Sequence, residues 1–320
     1  MRVSAAAAIT AALIAAGCGG AGQPLPVQTP PAQPKAPPEQ IQAANGPILV
    51  GPGPTPLAVK LDAPDVIRMP FHRPPRAGLL FDLDTGRVLW RRNPTRLLPI
   101  ASLTKMMTAL LVVTGEPPKA LVRITSEARN APGSRVGLLP KRKQVRVEPL
   151  LYGLLLPSGN DAAHALAQKV SGTSRAFIVA MNARAQQMNL ECTHFTSVDG
   201  FVDAGNHSCA VDLAALARAV LDQPRLARIV GARSAILRFP IKGGKLYLFN
   251  NNPLLRTGYA GTIGVKTGFT DAAGHCLVAA VKRHGHRLGV VLLHSPVTYA
   301  QARKLLDRGF RALRVGDSAP

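Results

Sequence analysis

Ser102-Leu103-Thr104-Lys105 heads the apolar run Met106-Met107-Thr108-Ala109-Leu110-Leu111, directly after Pro99-Ile100-Ala101. A hydroxyl and an amine three residues apart share one face of a helix. At a helix N-terminus the hydroxyl also meets backbone N–H groups that lack intrahelical partners, and the positive end of the helix dipole. This arrangement suits nucleophilic catalysis. A serine hydroxyl ionises far above neutral pH and so needs a base, and a lysine can serve only where burial or a neighbouring cation lowers its own pKa. Alone, the tetrapeptide reads more simply as an N-cap serine followed one turn later by a solvated lysine.

Two further segments change that weighting. Leu154-Leu155-Leu156-Pro157-Ser158-Gly159-Asn160 puts a hydroxyl and an amide between an apolar run and an expected helix. Gly264-Val265-Lys266-Thr267-Gly268 puts a cation and a hydroxyl on an expected strand, with Gly268 leaving room for a ligand's backbone to approach. Each pattern occurs once, in the order Ser-x-x-Lys, Ser-x-Asn, Lys-Thr-Gly. Other chemistries leave no trace: the chain has no phosphate-binding Gly-x-x-x-x-Gly-Lys-Ser/Thr loop, no His-Glu-x-x-His, no Cys-x-x-Cys and no Gly-x-Ser-x-Gly elbow. Its 8 histidines do not cluster at ligand spacing. His284 and His286 flank an expected turn and read as solvated, so neither a metal nor another cofactor is expected.

This motif set, with Ser-Asp-Asn as its middle element, marks penicillin-binding proteins and class A β-lactamases. From about Ala77 to Phe310 the sequence resembles the D-alanyl-D-alanine carboxypeptidases, the low-molecular-mass penicillin-binding proteins of serine peptidase family S11. The resemblance extends through Leu151-Tyr152-Gly153, Asn160-Asp161-Ala162-Ala163, Met181-Asn182 and the run from Lys266 to Gly274. It implies Ser102 as nucleophile, Lys105 as its base and Ser158 as proton relay towards the leaving amine. It also implies Asn160 as a ligand of the substrate amide, Lys266 and Thr267 with Gly268 at the substrate's terminal carboxylate, and backbone N–H groups of Ser102 and Phe269 as the oxyanion hole. The implied partners are peptidoglycan stem peptides ending in D-Ala-D-Ala, and β-lactam inhibitors. With both lysine ammonium groups in one cleft, Lys105 is expected to titrate low, and Lys266, facing a carboxylate, to stay charged. Two departures stand out: Pro140-Lys141-Arg142-Lys143 where many relatives have a Pro-Gly turn, and Asn251 where some have an arginine that helps hold the carboxylate. An additional C-terminal β-domain, carried by several relatives, is not expected.

The elements that must position these residues are legible in outline. Leu79 to Asp82 and Val88 to Trp90 bracket the turn Asp84-Thr85-Gly86, and Cys276 to Val281 and Leu288 to Leu293 bracket His284-Gly285-His286; both read as antiparallel pairs. Between them, helices are expected at Lys105 to Val113, Asp161 to Val170, Arg175 to Met188 and Asp212 to Leu221. Gln301 to Leu313 repeats apolar residues at helical spacing. Strands at both ends and helices between them argue for an α+β fold, an antiparallel sheet flanked by helices with an inserted helical lobe. The resemblance makes this the penicillin-binding/β-lactamase-like transpeptidase fold. Glu127 and Glu148 bracket six bases without an acid, read as a solvated basic loop rather than a polymer-binding patch.

Before the domain, Arg2 precedes an uncharged run from Val3 to Gly17, too short to span the bilayer comfortably but suited to a secretory signal. Ala15-Ala16-Gly17-Cys18 resembles a lipobox, so residues 1–18 read as a signal peptide ending in lipidation of Cys18, with ordinary cleavage at the small residues as the alternative. Residues 19–70 hold 13 of the 28 prolines and read as a linker, 71–315 as the catalytic domain and 316–320 as a tail. The first 70 residues carry four bases against three acids, so +21 of the formal charge of +22 falls in the rest of the chain. Such a domain attracts anionic partners, but export and only 4% aromatic residues argue against nucleic acid. Lipidation of Cys18 leaves three cysteines outside the cytoplasm. A Cys192–Cys209 disulfide with Cys276 as a buried free thiol is expected, the alternative being three reduced thiols.

The expected activity is therefore an exported serine carboxypeptidase. A β-lactamase needs a dedicated deacylating glutamate, and no Glu-x-x-Leu-Asn follows Ser158; Glu191, before Cys192-Thr193-His194, is a poor substitute. A non-catalytic cell-wall binding protein predicts a damaged motif set, whereas all six polar motif residues are present.

Overall fold

The computed structural model describes residues 57–141 and 143–317. The signal peptide, Cys18 and most of the proline-rich linker lie outside the described residues. Strands β1 (Ala77–Asp82) and β2 (Val88–Arg92) form the opening hairpin; β3 (Leu98–Pro99) then leads into a 3-10 turn, Ala101–Thr104, and helix α1 (Lys105–Gly115). An inserted lobe follows, made of β4 (Leu121–Arg123), α2 (Ser126–Arg129), β5 (Gln144–Arg146), α3 (Val147–Leu155), α4 (Asn160–Ser171), α5 (Ser174–Gln187), β6 (His207–Ser208), α6 (Ala210–Asp222) and α7 (Pro224–Gly231). A second hairpin, β7 (Ser234–Arg238) with β8 (Lys245–Phe249), and the single turn α8 (Pro253–Arg256) return the chain to the sheet. There β9 (Thr262–Thr270), β10 (Gly274–Arg283) and β11 (His286–Leu293) precede the closing helix α9 (Thr298–Asp317).

The main sheet runs β2-β1-β11-β10-β9, every neighbouring pair antiparallel. Both of its faces are covered, which is why β1 reads as an unbroken apolar run rather than an alternation. Successive side chains still point to opposite faces. Leu79 and Phe81 join the core shared with α1, α3, α4 and α6. Leu80 joins Leu277, Leu292 and the α9 residues Ala302, Leu305, Leu306 and Phe310 on the other face. The apolar spacing from Gln301 to Leu313 is thus the face that α9 lays on the sheet. The opening turn is fastened by Asp82, whose Oδ1 accepts from the Asp84 and Thr85 amides at 2.9 and 2.8 Å.

Two findings add to the sequence reading. Leu57 to Pro70, assigned by composition to the linker, lies against β2 on the edge of the sheet. The Lys60 amide donates to the Gly86 carbonyl at 3.0 Å and the Ile67 amide to Leu89 at 2.9 Å, while Asp65 pairs with Arg91 at 3.1 Å. Proline lacks an N–H donor, but non-proline residues stand at these contact points, and Ile67 is buried. The basic loop also has a structural task. Its Val136 and Gly137 amides donate to the two Asp161 carboxylate oxygens, each at 2.9 Å, which fixes the loop against the start of α4. The exposed Arg135 between Ser134 and Val136 remains in solvent, as a solvated loop requires.

Cys192 and Cys209 are joined in a disulfide, their Cα atoms 5.5 Å apart, and Cys276 is a buried free thiol. Closing this loop restricts the unfolded chain, so replacing both cysteines by serine should lower stability by about 3 kcal/mol in the chain-entropy model. Denaturant unfolding measures that loss, and non-reducing peptide mapping that finds both thiols free would refute the pairing. One grouping of three candidate metal ligands occurs among the described residues, Cys192, Cys209 and Asp212, and the disulfide occupies two of them.

Candidate active site

Ser102 lies in the 3-10 turn, one residue after Ala101, whose φ of 47° turns the backbone sharply into the helix. Lys105 opens α1 and is fully buried. Its Nζ donates to Ser102 Oγ at 2.9 Å, to Asn160 Oδ1 at 2.7 Å and to the Asp199 carbonyl at 2.7 Å, which satisfies all three ammonium hydrogens. The i, i+3 spacing brings the two groups together as expected, through a 3-10 turn that continues into α-helix.

Ser158 follows α3 with φ 70°, and the Gly159 amide returning to the Gly153 carbonyl at 2.9 Å holds that bend. From the sheet side, Lys266 on β9 donates from Nζ to Ser158 Oγ at 2.9 Å and to the Thr267 carbonyl at 2.9 Å. Two lysine–serine pairs therefore meet at the seam between helical lobe and sheet. The cleft there, of about 310 Å³, is lined by Ser102, Ser158, Thr267, Gly268 and Phe269, together with Ser134, Asn251, His275 and Thr298.

Asn160 and Gly268 serve differently from the simplest expectation. The Asn160 Nδ2 donates to the Pro132 carbonyl at 2.6 Å while Oδ1 takes the Lys105 bond, so both ends of the buried amide hold protein groups. A Cβ on Gly268 would lie 2.9 Å from the Ile100 carbonyl oxygen and 3.1 Å from the Ser102 nitrogen. The close approach that this glycine permits is thus first of all that of β9 to the turn bearing Ser102. Ser102 and Phe269, on either side of this contact, both line the cleft. Phe269 itself is exposed and stacks on His275, ring centroids 4.6 Å apart.

Burial pulls the Lys105 pKa down to about 8, against the opposing pull of the Asp199 and Asp161 carboxylates. Lys266 is pushed well below the ordinary lysine range, first by burial and then by the Lys105 cation. This shift belongs to the protein without ligand, whereas the expectation that Lys266 stays charged concerns a lysine facing a substrate carboxylate. Its Nζ contacts a hydroxyl and a carbonyl, no carboxylate opposes the desolvation, and only a ligand's carboxylate would raise it again.

Several residues that sequence reasoning passed over complete the site. Asp199 supplies a carbonyl to Lys105, and its side chain lies 3.3 Å from His164 Nε2. Burial works to raise the Asp199 pKa, but the His164 hydrogen bond, the Lys105 cation and the Phe201 amide outweigh it and hold the carboxylate low. The following Gly200, with φ 76°, lets this turn touch Ala101: a Cβ there would lie 1.9 Å from the Ala101 carbonyl oxygen. Asp-Gly is a turn signal, and His164 falls four residues after Asn160, on the same helix face. Both signals were present, but neither connects to Lys105 without the fold. Replacing Asp199 by Asn removes a charge that favours the protonated lysine, so the acidic limb of acylation should move below about 8. A pH series of acylation rates measures this, and an unmoved limb would show that the carboxylate does not act on Lys105.

A family profile described as D-alanyl-D-alanine carboxypeptidase matches residues 73–296. The chain is similar to the D-alanyl-D-alanine carboxypeptidase DacF of Bacillus subtilis, 32% identical over 243 residues, a match covering 73% of this chain and 62% of DacF. It is also similar to DacB2 of Mycobacterium tuberculosis, 34% identical over 245 residues, with 74% of this chain and 82% of that protein covered. The match thus spans less than two thirds of DacF. Among solved structures, a D-alanyl-D-alanine carboxypeptidase from Mycobacterium tuberculosis superposes with a TM-score of 0.71 at 33% identity, over 77% of this chain and 94% of that one. A Streptomyces DD-transpeptidase superposes with a TM-score of 0.70 at 31% identity, over 77% of this chain and all of the other.

Proposed function

Because the chain belongs to serine peptidase family S11, the D-alanyl-D-alanine carboxypeptidases, we propose that it removes the terminal D-alanine from peptidoglycan stem peptides through an acyl-enzyme on Ser102. The observation that carries this reading is the fully buried Lys105 ammonium held 2.9 Å from a serine hydroxyl at the cleft. Deprotonated, Lys105 takes the Ser102 proton as Oγ attacks the carbonyl of the penultimate D-alanine. The negative charge passes to the carbonyl oxygen, where the Ser102 and Phe269 N–H groups receive it. Collapse breaks the C–N bond, and the leaving amine takes up the proton that Lys105 had gained, relayed by way of Ser158, whose Oγ is held by Lys266 at 2.9 Å, so that Lys105 is neutral again. Water then attacks the ester and gives up a proton to the neutral Lys105, which returns it to Ser102 Oγ as the ester C–O bond breaks, releasing the shortened peptide with Ser102 restored.

Recognition of the terminal carboxylate falls to Thr267 and to Lys266, because Asn251 brings an amide and no charge to the cleft. A β-lactam would acylate the same hydroxyl, its strained amide imitating the acyl-D-Ala-D-Ala bond. We further propose that the chain acts outside the cytoplasmic membrane, as proteins working on the cell wall must, and that Cys18 carries the lipid that holds it there. The uncharged run after Arg2 and the small residues preceding Cys18 support that reading. No helix among the described residues is long and apolar enough to cross a membrane.

Incubation with a pentapeptide ending in D-Ala-D-Ala tests the activity. Stoichiometric release of free D-alanine is expected, and its absence from protein that still binds penicillin covalently would limit the chain to acylation without turnover.

A further inference from the structure

The hairpin β7–β8 stands apart from the main sheet as a two-stranded unit. Its inner row, Ala235, Leu237, Leu246 and Leu248, packs on the core. The outer row of such a ribbon is ordinarily polar. Here it presents Ile236, Tyr247 and Phe249, which are 64%, 58% and 69% exposed. Register places Ile236 opposite Tyr247, with Phe249 opposite Ser234 one step along, so the three form one apolar stripe.

The tip of the same face is basic. Arg238 stands directly opposite Lys245, a like-charged pair that destabilises a ribbon left to itself. Lys242 lies in the connecting turn, and none of the three cations forms an ion pair among the described residues. No acidic residue occurs between Asp222 and Asp271 to balance them.

We infer that this face docks the domain on an anionic lipid surface, with Ile236 and Phe249 entering the acyl boundary, Tyr247 at headgroup level, and Arg238, Lys242 and Lys245 on the phosphates. Charge complementarity carries the choice of occupant. An anion between Arg238 and Lys245 turns a repulsive pair into a binding site, and aromatic residues flanked by bases are the composition of an interfacial contact. A sugar polymer suits the face less well. Ile236 offers it no hydrogen bond, and the stripe has no amide or carboxylate side chain to read hydroxyl groups.

Trp90 is the chain's single tryptophan and is 5% exposed, so Phe249→Trp adds a reporter in the stripe without a competing surface signal. The full-length protein with this substitution is mixed with phosphatidylglycerol vesicles bearing brominated acyl chains. We expect quenching of the added emission, and little with phosphatidylcholine vesicles of the same bromination. Adding Arg238→Glu and Lys245→Glu should weaken the apparent lipid affinity at least about tenfold, while D-alanine release from a soluble pentapeptide stays unchanged and confirms the fold. Absence of quenching in the intact-charge protein would overturn the inference. Quenching that is indifferent to the two charge reversals would overturn it as well, because burial through the N-terminal segment alone would then explain vesicle association. Protection of the face by isolated peptidoglycan instead of lipid would assign it to the polymer. Loss of peptidase activity in every form would count against the catalytic reading and leave the docking result intact.

Discussion

Ser102→Ala abolishes covalent labelling by a fluorescent penicillin. The β-lactam ring can be opened only by a nucleophile that remains attached to the carbonyl carbon, and in this cleft that atom is Ser102 Oγ, already paired with its base at 2.9 Å. Ser158 is the other hydroxyl in contact with a lysine, but its partner is Lys266, and its place beyond a positive-φ bend suits proton relay. The loss should be complete on a gel, because no slower residue inherits the geometry. The variant should keep its thermal stability, since the hydroxyl leaves no cavity of consequence. Persistent labelling of a folded Ser102→Ala protein would remove this serine from the mechanism and turn attention to Ser158.

The second large effect concerns Lys105. Its pKa of about 8 means that the neutral amine grows tenfold for each unit of pH well below 8 and levels off above it. The second-order rate constant of acylation, which reports the free enzyme, should therefore rise with pH through that region. Lys105→Arg keeps the charge but cannot supply a base near neutral pH, because a guanidinium does not deprotonate there. Acylation should fall by about 10³, in the range general-base catalysis contributes. The acidic limb should vanish with it. Lys266→Arg, by contrast, keeps a cation for a substrate carboxylate and should retain part of the activity. Near wild-type acylation by Lys105→Arg with a dead Lys266→Arg would exchange the roles of the two lysines.

The tenor of the site was legible in the sequence because its three motifs are local: each places two polar groups a few residues apart, and local spacing survives folding. The outer strands were legible for the same reason, since β1 and β11 are apolar runs closed by recognisable turns. What stayed hidden depends on distance along the chain. Asp199 reaches Lys105 through its carbonyl, an atom every residue has, so no residue type could announce it. Asn160 was identified by its motif, but that its amide would be divided between Lys105 and Pro132 follows from the packing of the basic loop against α4. The downward pull on Lys266 was not legible, because sequence shows the neighbours of a lysine and not how completely they exclude water. The contacts of residues 57–70 were not legible because proline content hides the few N–H donors, at Lys60 and Ile67, by which that segment meets the opening hairpin.

The pairing of β1 with β11 joins the two ends of the domain, Ala77 opposite Leu293 and Asp82 opposite Leu288. All the residues of the helical lobe lie between them in sequence, and β9, which carries Lys266, reaches β1 only by way of β10 and β11. Contacts so remote in sequence form late, after a large loop-closure cost. A chain still emerging from the ribosome has only β2 as a sheet partner for β1 until β11 has been made, so the strand that carries Lys266 cannot yet be joined to the opening hairpin. Closing the sheet, and with it the final placing of Lys266 against the helical lobe, therefore waits on the last strand. A chain cut short before β11 is expected to leave one hydrogen-bonding edge of β1 unpaired, a site at which such a fragment would aggregate.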